Sequence, residues 1–205
     1  MQKKVENILI TGASSGIGEA LAVYYAKHGA ENLFLSGRNK ERLDTVQQRC
    51  REYGVKVYTK VIDVTEKENM QKWLEQCEQI APLNLVVANA GVSTGEETCD
   101  NIFNTFNTNV MGVINTICPT VELYRKRHDK NKIIAITSSI AGYHGLASCP
   151  SYSATKACTK AYGEALRQQL NKENIQVNVI CPGFVKSRIT DKNTCPMPLD
   201  RKSVV

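Results

Sequence analysis

Thr11-Gly12-Ala13-Ser14-Ser15-Gly16-Ile17-Gly18 follows at once on a short apolar run, Val5 to Ile10. The order is that of a strand, a tight turn and a helix over about Ile17 to His28. Glycines at 12, 16 and 18 permit positive φ and close backbone approach. The helix points its free N–H groups and the positive end of its dipole at whatever fills the turn. A diphosphate matches that description. The spacing, G-x-x-x-G-x-G, is a variant of the dinucleotide fingerprint and not its G-x-G-x-x-G form. A plain tight loop has similar glycines, but a position between strand and helix favours phosphate binding.

Outward from the turn, apolar runs alternate with helical patterns. Asn32 to Ser36 is a second apolar run, ending in Gly37-Arg38-Asn39. A carboxylate at this strand end would bond an adenosine ribose and repel a 2′-phosphate, whereas an arginine does the reverse. The run carries no acid, and Arg38 follows it. Lys40 to Tyr53 has helical spacing through Leu43, Val46, Cys50 and Tyr53, and Gly54 supplies the stop. Val55 to Val64 reads as a third strand ending in Ile62-Asp63-Val64. Thr65-Glu66-Lys67-Glu68 has the form of a capping box before a helix with a core stripe of Met70, Trp73, Leu74, Cys77 and Ile80. Leu83 to Ala88 is a fourth strand, ended by Asn89-Ala90-Gly91.

A long helix is expected from near Asp100 to Arg127, with Phe103, Phe106, Val110, Val113, Ile117 and Val121 inward. Asn109 is the polar residue of that interior, where an amide bonds neighbouring backbone, holds a water or bends the helix. Lys132 to Thr137 is strand five and leads to Ser138-Ser139. A loop then carries the chain to a helix over Tyr152 to Asn171, and Ile175 to Cys181 is strand six, closed by Pro182-Gly183. Continuous apolar strands separated by helices indicate an α/β protein with parallel strands covered on both faces.

Tyr152-Ser153-Ala154-Thr155-Lys156 opens the last long helix. Residues four apart share a helix face, so the ammonium of Lys156 is expected to favour the phenolate of Tyr152 and pull its pKa down from about 10. That is proton-transfer chemistry. A Y-x-x-x-K spacing is common on ordinary amphipathic helices, and its weight here comes from Ser138-Ser139 upstream and the glycine turn at the start.

Composition bounds the alternatives. The 205 residues fit one domain, and 42% hydrophobic with 22% charged residues is ordinary for a globular protein. The net charge of +6 is spread over many elements, where a nucleic-acid surface would concentrate it. No apolar run approaches the length of a membrane span, and Met1 to Glu6 carry no signal-peptide pattern, so a cytoplasmic protein is expected. Eight cysteines contain no C-x-x-C pair and three histidines lie far apart, so neither a metal site nor a disulfide framework is expected, and most thiols are read as buried in apolar surroundings.

Taken together, Thr11 to Gly18, Asp63-Val64, Asn89-Ala90-Gly91, Asn109, Ser139, Tyr152-x-x-x-Lys156 and Pro182-Gly183 resemble the short-chain dehydrogenase/reductase family, NADP-preferring type, over about Lys4 to Met197. The resemblance implies a doubly wound parallel sheet, a Rossmann fold of order 3-2-1-4-5-6. It implies that Tyr152 exchanges a proton with a carbonyl or alcohol oxygen. Lys156 would tune that phenol and bond the nicotinamide ribose, Ser139 would hold the substrate oxygen, and Asn109 would keep a water of the proton path. A dinucleotide would lie against Gly12, Ser14, Ser15, Gly16, Ile17 and Gly18, with Asp63 and Val64 at the adenine and Asn89, Ala90 and Gly91 at the sheet centre. Pro182, Gly183, Val185 and Ser187 would line the rest of its length, Ser187 standing where many relatives have Thr. Arg38 after Gly37 looks like the NADP(H)-preferring subset, while Ser15 lacks the further basic residue some such members carry, leaving NAD(H) possible.

The implied partners are a small carbonyl or alcohol substrate and further copies of the chain, through the two long helices. Ala141, Tyr143, Leu146 and Phe184 are candidates for an apolar pocket wall. The end of the chain departs from the pattern, because relatives continue with another helix and a seventh strand. Residues 1–199 are expected to be one dinucleotide-binding domain and 200–205 a non-native tail. The competing reading is a dinucleotide-binding regulator without turnover.

Overall fold

Six apolar runs form the strands of one parallel sheet in the computed structural model of the chain, which describes residues 5–183 and residue 185. The strands are β1 (Asn7–Thr11), β2 (Asn32–Gly37), β3 (Lys56–Val61), β4 (Leu85–Ala88), β5 (Lys132–Thr137) and β6 (Ile175–Ile180). Between them run α1 (Gly16–Lys27), α2 (Lys40–Arg51), α3 (Lys67–Ile80), α4 (Cys99–Phe106), α5 (Gly112–Arg125) and α6 (Pro150–Leu170). The order across the sheet is β3-β2-β1-β4-β5-β6, as expected from the resemblance. Chain direction across the sheet reverses between β1 and β4, and a crevice opens at the carboxyl ends of the strands at such a point.

Successive strand residues face opposite ways, so the inner strands feed two cores. Ile8, Ile10, Leu33, Leu35, Leu85 and Val87 pack against Ala22 and Ala26 of α1 and Leu43, Val46 and Cys50 of α2. Leu9, Phe34, Val86, Ile134 and Ile136 pack on the other face against Met70, Trp73 and Leu74 of α3 and Val113, Ile117 and Tyr124 of α5. A sheet buried on both faces reads as unbroken apolar runs for this reason. Among the described residues β6 pairs only with β5 and ends the sheet. Phe184, Ser187 and the 200–205 segment lie outside the described residues.

Several expectations are corrected. The capping box at Thr65 does not form: the Thr65 N–H and hydroxyl both donate to Oδ1 of Asp63, at 3.0 and 2.9 Å. A carboxylate two residues upstream outcompetes the helix for them, and α3 starts later, after a Glu66 that makes no side-chain cap bond. Ile80 and Tyr53 are about half exposed, because each sits at or past the end of its helix, beyond the reach of the sheet.

The long helix is broken in the middle. Asn107–Met111 is a π-helical turn, closed by the Gly112 N–H bonding the Asn107 carbonyl. The one extra residue in this turn rotates the side chains of α4 by about 100° relative to those of α5. Val113, Ile117 and Val121 therefore face the core, whereas Phe103 is 69% exposed, Phe106 is exposed and Val110 is only half-buried. The cysteines are also less buried than expected. All seven described are free thiols, but Cys99, Cys118 and Cys158 lie on outward helix faces and only Cys50 and Cys77 are buried. No helix among the described residues is long and apolar enough to cross a membrane.

Candidate active site

The turn after β1 is built around two glycines that no other residue could replace without movement. Gly12 has φ of 65°, and a Cβ there would lie 2.8 Å from Cα of Ala90. A Cβ on Gly18 would lie 2.4 Å from the Gly12 carbonyl oxygen and 2.7 Å from Nδ2 of Asn89. Asn89 explains the tight fit: its amide donates to the carbonyls of Thr11 (3.0 Å) and Gly12 (3.5 Å). The Thr11 hydroxyl in turn accepts from the N–H groups of Asn89 and Ala90, at 3.0 and 3.1 Å. The ends of β1 and β4 are thus stitched together beneath the turn. Gly18→Ala is expected to lower the melting temperature by about 5 °C, the scale of a small overpacking strain in a domain of this size, read by thermal circular dichroism.

Gly12, Ser14, Ser15, Gly16 and Ile17 line one end of the main cleft. Gly18 lies behind them, as packing. Beyond, at the ends of β2 and β3, the cleft is lined by Arg38, Asp63 and Val64. Nη1 of Arg38 stands 3.5 Å from Oδ2 of Asp63, with the guanidinium largely in solvent. Burial pushes the Asp63 carboxyl up, but the two bonds from Thr65 and the nearby Arg38 outweigh it and hold the group below its ordinary range. Arg42 also lines this end, and its Nε is buried without a hydrogen-bond partner. Sequence reasoning missed Arg42; its only signal was a spacing of one helical turn from Arg38.

Asn89, Ala90 and Gly91 line the middle of the cleft, and Ser139, Tyr152, Lys156, Pro182, Gly183 and Val185 its far end. Ser139 leaves β5 with its hydroxyl accepting from the Ala141 N–H at 3.1 Å, capping a short 3-10 turn over Ile140–Gly142. It shares this end of the cleft with Tyr152. Pro150 sits in the first turn of α6, where its missing N–H costs nothing, and Tyr152 comes within that turn. Lys156 is 4% exposed, and its Nζ donates to the Thr137 carbonyl at 2.9 Å and lies 5.5 Å from the centre of the Tyr152 ring. The Ser138 hydroxyl donates to the Lys156 carbonyl at 2.7 Å, fixing α6 to the end of β5. Thr137, also unforeseen, lines the cleft with a buried hydroxyl that has no partner.

Asn109 does not line the cleft; it sits on the π-helical turn and holds the wall in place. Its side chain accepts from the Val92 N–H at 2.7 Å and donates to the Val92 carbonyl at 2.9 Å and to the Thr155 hydroxyl at 3.0 Å. Thr155 donates onward to the Tyr152 carbonyl at 2.8 Å. Both N–H groups of the amide are used by protein acceptors, and its oxygen accepts from the Val92 N–H.

The expected lowering of the Tyr152 pKa is corrected. Burial pushes the phenol above its ordinary value, with the influence of the Ser139 hydroxyl pulling the other way, and Cys149 adding to the rise. Lys156 spends its ammonium on the Thr137 carbonyl, beside the ring rather than against the oxygen. Burial lowers the lysine itself from 10.5 to about 8, opposed by Cys181.

The molecule is thus a doubly wound α/β protein with a glycine-turned cleft at its switch point and a Ser–Tyr–Lys cluster at the far end of that cleft. Residues 6–196 match the short chain dehydrogenase family, and the chain belongs to it. It is 35% identical over 195 residues to an uncharacterized oxidoreductase of Myxococcus xanthus, covering 93% of this chain and 76% of that protein. A short-chain dehydrogenase from Sphingobium yanoikuyae in complex with NADPH superimposes with a TM-score of 0.86 at 25% identity, over 97% of this chain and 80% of that one. A short chain dehydrogenase/reductase from Burkholderia phymatum in complex with NAD gives 0.85 at 25% identity, over 93% and 70%.

Proposed function

We propose that the protein is a nicotinamide-dependent oxidoreductase with a preference for NADP(H), interconverting a carbonyl and an alcohol with Tyr152 as acid/base. The observation that carries this reading is the presence, in one cleft, of the glycine turn, the basic end at Arg38 and Arg42, and the Ser139–Tyr152–Lys156 cluster. The residues suit such a cofactor. Gly12, Ser14, Ser15, Gly16 and Ile17 bring the turn to the cleft surface where a diphosphate would lie, and Arg42 offers a buried, unpaired N–H. Hydride is the chemistry that the cofactor supplies when bound.

The chain's own residues do the rest. Ser139 would orient the substrate oxygen towards the Tyr152 hydroxyl, with which it lines the same end of the cleft. In reduction Tyr152 would give its proton to that oxygen, and a phenol with a raised pKa is fully protonated for the task at neutral pH. Lys156, charged below about pH 8, would stabilise the phenolate left behind. Ala141, Tyr143 and Leu146, expected as an apolar pocket wall, line a second hollow with Pro150, Ser153 and Ala154 and not the cleft that holds Ser139 and Tyr152. Exposed Phe103, Phe106 and Met111 on the broken helix support association of copies through that face.

The test is oxidation of NADPH and NADH at 340 nm with a panel of ketones and aldehydes. Consumption of NADPH in excess of NADH is expected. Binding that quenches NADPH fluorescence without any consumption would overturn the enzyme reading in favour of a dinucleotide-binding regulator. Cofactor choice has its own prediction. Arg38→Ala removes a cation and also frees the Asp63 carboxylate that it faces, leaving a local negative charge. Affinity for NADPH relative to NADH is expected to fall by about tenfold or more, the scale of a charged hydrogen bond, measured by fluorescence titration.

A further inference from the structure

The helix that carries Tyr152 lacks a cap of its own. Cys149 occupies the N-cap position of α6 and makes no side-chain cap bond. An uncapped first turn leaves N–H groups unsatisfied and prone to fray. The missing acceptor comes from far along the chain: Oε1 of Glu97 accepts from the Ser151 N–H at 3.0 Å and from the Ser151 hydroxyl at 2.8 Å. Glu97 belongs to the segment that runs on from Gly91 in the wall of the cleft, and a carboxylate at a helix N-terminus is favoured by the dipole as well.

The same segment grips that turn at a second point. Val92 is held on both its N–H and its carbonyl by Asn109, which bonds Thr155, which bonds the Tyr152 carbonyl. Residues 92 and 97 therefore reach α6 on either side of Tyr152, one through Thr155 and one through Ser151. The segment is anchored behind by α4, where the Asn101 amide donates to the Glu96 carbonyl at 2.9 Å and Thr98 caps the helix.

We propose that Glu97 is a positioning residue for Tyr152, a cap supplied from the cleft wall that sets where the phenol stands; this rests on the reading of Tyr152 as acid/base. Glu97 touches neither the phenol nor any group of the cleft floor among its described bonds. Its action runs through Ser151.

The test uses Glu97→Ala, Glu97→Gln and, as a control, Glu96→Ala, in protein labelled with 13C at tyrosine Cζ. The Tyr152 resonance is identified by its loss from Tyr152→Phe. It is expected to move in Glu97→Ala, to return in Glu97→Gln, which keeps an accepting oxygen, and to stay in place in Glu96→Ala. With NADPH and the best carbonyl of the panel, kcat is expected to fall by about fivefold in Glu97→Ala, the scale of a lost cap, with KM for NADPH unchanged. A resonance unmoved by Glu97→Ala, moved equally by Glu96→Ala, or not restored by glutamine overturns the proposal, as does a moved resonance with an unchanged kcat. Absence of turnover in the unsubstituted protein with every carbonyl would instead sink the enzyme reading, and the resonance would still decide whether Glu97 sets the place of Tyr152.

Discussion

Tyr152→Phe is expected to lower turnover by about a thousandfold, within the range ascribed to a general acid, while dinucleotide affinity changes by less than about twofold. The substitution removes one oxygen and leaves the ring. Packing beside Lys156 persists, because the ammonium lies 5.5 Å from the centre of the ring, which the substitution keeps. What is lost is the hydroxyl and, with it, the phenolic proton. The measurement is kcat with NADPH and the best carbonyl of the panel, alongside fluorescence titration of both proteins. Turnover within a fewfold of the starting protein would remove the assigned acid.

Lys156→Met is expected to abolish measurable turnover and yet raise the melting temperature at neutral pH. A lysine 4% exposed with its pKa lowered from 10.5 to about 8 carries a burial cost of about 3 kcal/mol in its charged form. The bond to the Thr137 carbonyl at 2.9 Å returns part of that. Methionine fills the same space without a charge. The sign with pH comes from linkage. The folded pKa lies below the unfolded one, so between about 8 and 10.5 the unfolded chain binds more protons, and stability of the starting protein rises with pH through that window. The advantage of Lys156→Met should therefore be full at pH 7 and shrink as pH climbs towards 10.5. Thermal melts of both proteins at pH 7 and pH 9.5 test it, and an advantage that grows with pH would refute the assignment of cost to this ammonium.

The sheet was legible because its cause is local. Unbroken apolar runs such as Leu85 to Ala88 fit strands covered on both faces, and the glycine turn after the first strand orders the rest. The floor of the site was legible for a different reason: Tyr152 and Lys156 share a helix, so four residues of spacing already bring them together. Arg42, Thr137 and Glu97 were not. Each acts on a partner or a space that the tertiary fold creates; Glu97 meets Ser151 across 54 positions. The pKa of Tyr152 was misjudged for a related reason, since spacing says nothing of burial or of the Thr137 carbonyl that engages the lysine. Phe103 and Phe106 were assigned inward by a regular helical period that the chain abandons at Asn107.

That break makes the site sensitive to how many residues the helix has, over and above which they are. Removing a single amino acid between Asn107 and Met111 would let an ordinary helix close through the gap, swing the two phenylalanines towards the protein interior and carry Asn109 away from Val92. Homologous chains that keep this amide on the wall must therefore share the surplus residue, so insertions and deletions in this stretch are constrained even where its surface side chains are free to drift.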